Sequence, residues 1–288
     1  MEQKPIKTAI VGVGRWGKNV AKELAEQSEL LAYASRGTGL DEAWMDDVMP
    51  HAKRLDLDAI CAHEDIQAVA VATPIATHTE IVRQLLSAGK HVLCEKPLAE
   101  NSKDALELTA LAKKNDLLLV TGYVYLYHPT YQQLRNDLAG KEISRIEFDW
   151  KKWGSFLETI EMNLLTHHFS ILLDLLGTPS SISVTRREAG ESACDILDTT
   201  ITYPTCEVTS HIDRVSKERT HTMTVHAEGK KFVWEGAQLR DERGIFESRD
   251  TPLALEVSAF LEAALGGRSP QTAGDFGARV LEIHEMMR

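Results

Sequence analysis

The 288-residue sequence has only four cysteines, Cys61, Cys94, Cys194 and Cys206, and no two stand in C-x-x-C spacing. That scatter excludes a disulfide framework and a cysteine-built zinc site, leaving each thiol as a small core residue. No run approaches the ~18 apolar residues of a membrane span, and the opening MEQKPIK lacks a signal-peptide apolar core. These absences read as a cytoplasmic chain with no membrane partner. Eleven histidines are present, but none in H-E-x-x-H spacing, and the neighbours His167 and His168 point to different sides of a helix. No metal is expected. Basic residues are outnumbered, 32 against 43 acidic, for a net charge of −11. Such a surface repels phosphate backbones, so nucleic acid is not an expected partner. Repeats and low-complexity linkers are missing too.

What is there is an ordinary globular composition, 43% hydrophobic and 26% charged, over a length that favours two domains. Thr8 to Val13 reads as a strand ending in glycines, and Trp16 to Gln27 as a helix. Strands at Leu30 to Ser35, Ala68 to Ala72, His91 to Cys94 and Leu117 to Thr121 alternate with helices at Ile75 to Ala88 and Ser102 to Lys114. This alternation implies right-handed crossovers and a parallel sheet. After a helix over Pro129 to Leu138 the pattern changes. Strands are expected at Glu142 to Lys152, Ser180 to Arg187, Asp195 to Tyr203, Glu207 to Arg214, Arg219 to Ala227 and Lys230 to Trp234. Their alternation and short turns suit an antiparallel sheet. A helix over Met162 to Leu176 interrupts them, and helices near Pro252 to Leu265 and Ala273 to Met287 close the chain. The expected fold class is α/β: a Rossmann domain over 1–121, then a substrate-binding and oligomerisation domain over 122–288 with an open, mostly antiparallel sheet. The last helices are free to pack back on the first domain.

Gly12, Gly14 and Gly17 form G-x-G-x-x-G between the first strand and helix. Missing side chains there let the backbone turn sharply and a pyrophosphate approach the helix N-terminus. In this fold a carboxylate ~20 residues on usually holds the NAD ribose. Here the place reads Ala34, Ser35, Arg36. A hydroxyl and a guanidinium suit the extra phosphate of NADP, so NADP(H) is expected over NAD(H).

Four stretches carry a resemblance: AIVGVGRWG at 9–17, ATPIATH at 72–78, AGKHVLCEKPLA at 88–99 and NLLTHHFSILLDLLG at 163–177. In order and spacing, across essentially the whole chain, they resemble the Gfo/Idh/MocA oxidoreductases, named for glucose-fructose oxidoreductase, inositol dehydrogenase and a rhizopine catabolism protein. The resemblance implies NAD(P)-dependent redox chemistry at the cleft between the two domains. It carries cofactor contacts onto Gly12, Gly14, Arg15, Trp16, Gly17, Thr73, Pro74, His78, Glu95, Lys96 and Pro97, beside Ser35 and Arg36. Lys96 matches the lysine that touches substrate and nicotinamide, and Pro97 a proline often in the cis form. A lysine following the strand His91 to Cys94 lies at the carboxyl edge of the sheet, where ligands bind in doubly wound folds.

The family's D-x-x-x-H element aligns His167 with its histidine and puts Asn163 in the Asp place. Positions i and i+4 share one helix face, so the two can point together as a substrate-binding pair. Neutral Asn offers hydrogen bonds only, and Asp174 lies two turns, ~10 Å, away. The usual arginine region reads Tyr125, Leu126, Tyr127, His128. Tyr125 and Tyr127 are candidate cleft-lining residues, with aromatic core packing the competing role for at least one. Lys96 and His167 are then the catalytic candidates for hydride transfer at a hydroxyl-bearing carbon of a sugar, polyol or nucleotide-linked sugar. The alternative is a dinucleotide-binding sensor or scaffold that has lost catalysis. By the same resemblance, the chain is expected to form a homodimer or homotetramer.

Overall fold

The computed structural model describes residues 5–36, 41–154 and 159–287. The chain divides into two compact units, Met1–Tyr123 with Leu253–Arg279, and Val124–Pro252 with Val280–Arg288.

The first unit alternates strands and helices: β1 (Lys7–Val11), α1 (Gly17–Gln27), β2 (Glu29–Ala34), α2 (Glu42–Val48), β3 (Lys53–Arg54), α3 (Leu57–Ala62), β4 (Ala68–Val71), α4 (His78–Ser87), β5 (His91–Glu95), α5 (Ser102–Lys114) and β6 (Leu119–Gly122). The six strands are all parallel, in the order β3-β2-β1-β4-β5-β6. Strands covered on both faces are apolar throughout, and all four residues of β4 are buried. Val20, Ala21 and Leu24 form the buried stripe of α1. Asn101 caps α5 by accepting from the Asp104 N–H, while Lys113 and Lys114 complement the dipole of its last turn.

The sequence reading leaves out α2, β3 and α3. The two helices are short, and their main signals are local, with Asp41 and Asp56 accepting from backbone N–H groups at their starts. The helix expected from Ile75 begins instead as a 3₁₀ turn over Ile75–Thr77, where the Thr77 hydroxyl bonds the Pro74 carbonyl at 2.7 Å.

The second unit opens on a 3₁₀ turn, Val124–Tyr127, and α6 (Pro129–Leu138), with proline in the helix's first turn. There follow β7 (Ile143–Lys151), α7 (Thr166–Leu176), β8 (Ser181–Glu188), β9 (Ile196–Thr202), β10 (Glu207–Asp213), β11 (Thr220–Ala227), β12 (Lys230–Glu235), β13 (Gln238–Asp241) and β14 (Gly244–Glu247). They form one sheet, ordered β14-β13-β12-β11-β7-β10-β9-β8. One pairing departs from the antiparallel expectation: β10 runs parallel to β7, because the chain reaches it only after α7 and the β8–β9 pair. Ile146, Phe148 and Trp150 of β7 and Val208, Ser210 and Ile212 of β10 line a buried face. Against it lies α7, buried from Thr166 to Leu173, with His168 stacked on Phe148 at 4.1 Å.

The tail supplies α8 (Pro252–Ala264) and α9 (Phe276–Glu285). Within the first unit, an isolated bridge joins Ala273 to Val120 of β6. A Cβ at Gly277 would stand 2.3 Å from the Thr121 hydroxyl, so the glycine permits the close approach to β6.

Candidate functional site

In the first unit the strand order reverses beside β1. Its end serves both neighbours: the Gly12 N–H donates to Ala34 of β2, and the Ala72 N–H after β4 donates to Val11, each at 2.8 Å. Ligands of doubly wound sheets bind at such a switch point. Gly12 has φ +100°, and a Cβ on it would lie 2.5 Å from the Ala72 carbonyl oxygen. A Cβ on Gly17 would fall 2.0 Å from the Gly12 oxygen. These two glycines are therefore required by the protein's own packing. Gly14 differs, because nothing stands within 4 Å of its missing Cβ, so its emptiness serves an approach from outside. The α1 N-terminus has no side-chain cap and no acidic residue in its first turn. An open cradle over uncapped amides fits the pyrophosphate of a dinucleotide.

At the end of β2, Ser35 is half-buried and Arg36 exposed. Arg54 of β3 donates to the Ser35 carbonyl at 2.9 Å, which adds a second guanidinium that the sequence reading misses. No local pattern marks Arg54; only the β2–β3 pairing brings it there.

Glu95 ends β5, Lys96 and Pro97 follow it, and the Lys96–Pro97 peptide is cis. Glu95 accepts from the Trp16 indole N–H and, at 3.3 Å, from the Lys96 backbone N–H. Burial raises its carboxyl, while the Trp16 bond and the Lys96 charge oppose the rise. His78 is buried, its ring nitrogens each 2.8 Å from the carbonyl oxygens of Pro97 and Thr73, so it braces one loop against the other. The Thr77 hydroxyl, whose proton goes to the Pro74 carbonyl, lies 2.8 Å from that of Thr73; Pro74 is exposed beside it, and Arg15 is exposed in the glycine loop. Of the cofactor candidates, the fold thus brings together Gly12 with Gly17, Trp16 with Glu95, and Thr73 with His78 and Pro97.

In the second unit, Tyr125 and His167 meet edge to face with ring centroids 4.8 Å apart. His221 is 4.7 Å from Tyr125 and 4.0 Å from Trp150, and Trp150 is 5.7 Å from His167. Trp150 and His221 have no motif to announce them; only the alternation of Ile146, Phe148 and Trp150 hints that one faces inward. Burial pushes the Tyr125 hydroxyl up to about 12 and His221 down to about 4, so at neutral pH both are uncharged. His168 is fully buried with Nδ1 2.8 Å from the Ser210 hydroxyl, and burial holds it well below the ordinary value. It is a core residue.

Asn163 lies in a π-helical turn, Glu161–Leu165, and α7 begins only at Thr166. The expected regular α-helix from Met162 is corrected there, because the wider turn changes the angle between Asn163 and His167. Such turns cluster at functional sites. Asp174 is engaged elsewhere, accepting from Tyr131 at 2.6 Å and paired with Arg135 at 2.9 Å. Tyr127 is half-buried at the end of the Tyr125 turn. Among the described residues no group of His, Cys, Asp or Glu is placed to hold a metal, and no helix is long and apolar enough to cross a membrane.

A six-stranded parallel sheet with an open glycine cradle at its switch point defines the class of dinucleotide-binding proteins. Residues 6–123 match the family described as "Oxidoreductase family, NAD-binding Rossmann fold", that of the Gfo/Idh/MocA oxidoreductases. The chain is 24% identical, over 97% of its length and 95% of the relative's, to a dTDP-3,4-didehydro-2,6-dideoxy-α-D-glucose 3-reductase of Saccharopolyspora spinosa. It is 26% identical, over 96% and 94%, to UDP-N-acetylglucosamine 3-dehydrogenase of Acidithiobacillus ferrooxidans. A solved structure of the latter enzyme shares the fold with TM-score 0.90 at 23% identity, covering 98% of this chain and 96% of that one.

Proposed function

We propose that this oxidoreductase acts on a hydroxyl-bearing carbon of a nucleotide-linked sugar, with NADP(H) as its cofactor. The observation that carries the substrate class is the group of rings formed by Tyr125, Trp150, His167 and His221, which offers apolar faces with a few polar tips, as sugar sites require. Two full-length relatives are named for nucleotide-linked sugars and for position 3, which makes C3 the first carbon to examine.

When bound, the nicotinamide supplies the hydride acceptor or donor. Lys96 holds and polarises the reacting oxygen through its ammonium. His167 takes or gives the hydroxyl proton as general base or acid. The Tyr125 hydroxyl, still protonated at neutral pH, donates to a sugar oxygen, and Trp150 excludes water. Ser35, Arg36 and Arg54 hold the 2′-phosphate, for which guanidinium groups are suited. The half-exposed polar face of the eight-stranded sheet, with Glu147, Thr200 and His211, is the surface on which a second copy would pair as dimer or tetramer.

The test is a panel of UDP- and dTDP-sugars and free sugars with NADP+ and NAD+, followed by nicotinamide absorbance. Turnover of a nucleotide-linked sugar, lost in Lys96→Ala and His167→Ala while NADPH still binds, is the expected result. NADPH binding without turnover across the panel would replace this reading with a dinucleotide-binding sensor, which the Asn163 substitution motivates.

A further inference from the structure

The indole of Trp16 stands in the glycine loop and is 44% exposed, yet its N–H is given to Glu95, 79 residues away at the end of β5. The two Glu95 oxygens face opposite tasks. One accepts from Trp16, and the other accepts from the N–H of the lysine that follows it. The neighbouring strand leaves space for this: a Cβ on Gly122 of β6 would lie 3.3 Å from Glu95 Oε1 and 3.4 Å from its Cα and Cδ. Behind Glu95 the first unit buries a second carboxyl, Glu256 of α8, which is 0% exposed. Among the described residues neither Glu256 oxygen has a hydrogen-bond partner.

We propose that Glu95 is a positioning residue that couples the dinucleotide loop to Lys96, by holding Trp16 on one carboxylate oxygen and the Lys96 backbone on the other. This deepens the nicotinamide-dependent reading and rests on it. Loading of the glycine loop then orders the lysine strand, because a shift of the Trp16 indole pulls on the same carboxylate that fixes the Lys96 peptide. The charge distribution agrees. Two buried carboxyls near each other cannot both ionise cheaply. Glu95 has an indole N–H, a peptide N–H and the Lys96 ammonium to favour its charge, whereas Glu256 has burial and the Glu95 charge against it. The proton therefore rests on Glu256, and the carboxylate stays beside Lys96. Cys94, whose thiol burial and Glu95 push upward, remains neutral.

The test reads Lys96 directly. The full-length protein is acylated with an amine-reactive probe, with and without saturating NADPH or NADH, and Lys96 modification is followed by peptide mass spectrometry. In the wild type the dinucleotide is expected to slow Lys96 labelling at least about tenfold. In Trp16→Phe and Glu95→Ala, each compared at dinucleotide concentrations that saturate that variant, the protection falls below about threefold. The double variant loses no more than either single one, as expected for two partners in a single interaction. Glu95→Gln fills the same space with one accepting oxygen in place of two, so it keeps at most one of the two bonds and loses protection as Glu95→Ala does; a merely space-filling role would leave it like the wild type. Full protection in both Trp16→Phe and Glu95→Ala overturns the coupling and leaves the dinucleotide reading intact. Failure of the wild type to bind either dinucleotide overturns both, so the two failures are distinguishable.

Discussion

Tyr125 presents one edge to His167 at 4.8 Å and lies 4.7 Å from His221, so a single tyrosine ring joins a helix residue to a strand residue on the same unit. If this group is the sugar platform, His167→Ala should lower kcat by about 10²–10⁴, the usual worth of a general acid or base. Tyr125→Phe keeps the ring contacts and should leave stability within about 0.5 kcal/mol, raising KM more than it lowers kcat. Steady-state kinetics beside thermal melts separate these effects. Equal losses of folding and activity in Tyr125→Phe would deny the platform.

Gly12 and Gly14 should respond in opposite ways to the same added methyl. Gly12→Ala combines a positive φ with a contact 2.5 Å from backbone oxygen, and should cost about 2 kcal/mol or more of stability. Gly14→Ala meets nothing within 4 Å and should melt like the wild type, yet bind NADPH about tenfold more weakly because the methyl occupies the pyrophosphate's approach. Melting curves and nicotinamide fluorescence titrations read both.

Cofactor choice is expected to rest on Arg36 and Arg54 together. Loss of one charge-assisted bond costs about 1.5–3 kcal/mol, so either alanine variant should weaken NADPH by about 10- to 100-fold. NADH affinity should stay within about threefold. Isothermal titration with the two dinucleotides decides it, and equal affinities in the wild type would remove these residues as selectors.

Acid should weaken the second unit through its buried histidines. Burial, aided by the Lys152 and His128 charges, depresses His221 from the ordinary 6.5 to about 4. Between those values the unfolded chain binds a proton that the folded chain refuses, so stability is full above about pH 6.5 and falls as pH drops through the window. The loss from His221 alone is up to about 3 kcal/mol. His168, depressed by burial and by His221, adds to the slope. Denaturant melts at pH 7 and 4.5 should differ by less in His221→Gln; an unchanged difference would show that His221 titrates near its ordinary value.

The sequence was legible where local signals run over a long enough element, whereas α2 and α3, capped by Asp41 and Asp56 but only seven and six residues long, escape it. Helices α5 and α6 begin and end where caps, proline and apolar spacing place them. The glycine loop and the parallel alternation follow from turn chemistry and periodicity read within some ten residues. Short elements such as β3, β13 and β14 carry too few residues for a period to show, and the π turn at Asn163 replaces an α turn without any local mark. By itself, then, the sequence determined the fold class, the dinucleotide loop and the candidate lysine and histidine. Tertiary structure alone decided that Arg54 stands at Ser35, that Trp16 is tied to Glu95, and that Trp150 and His221 share a cluster with Tyr125 and His167. The physical reason is separation along the chain: these partners meet only after strands have paired and side chains have packed, and no periodicity records which distant residue will fill the space beside another.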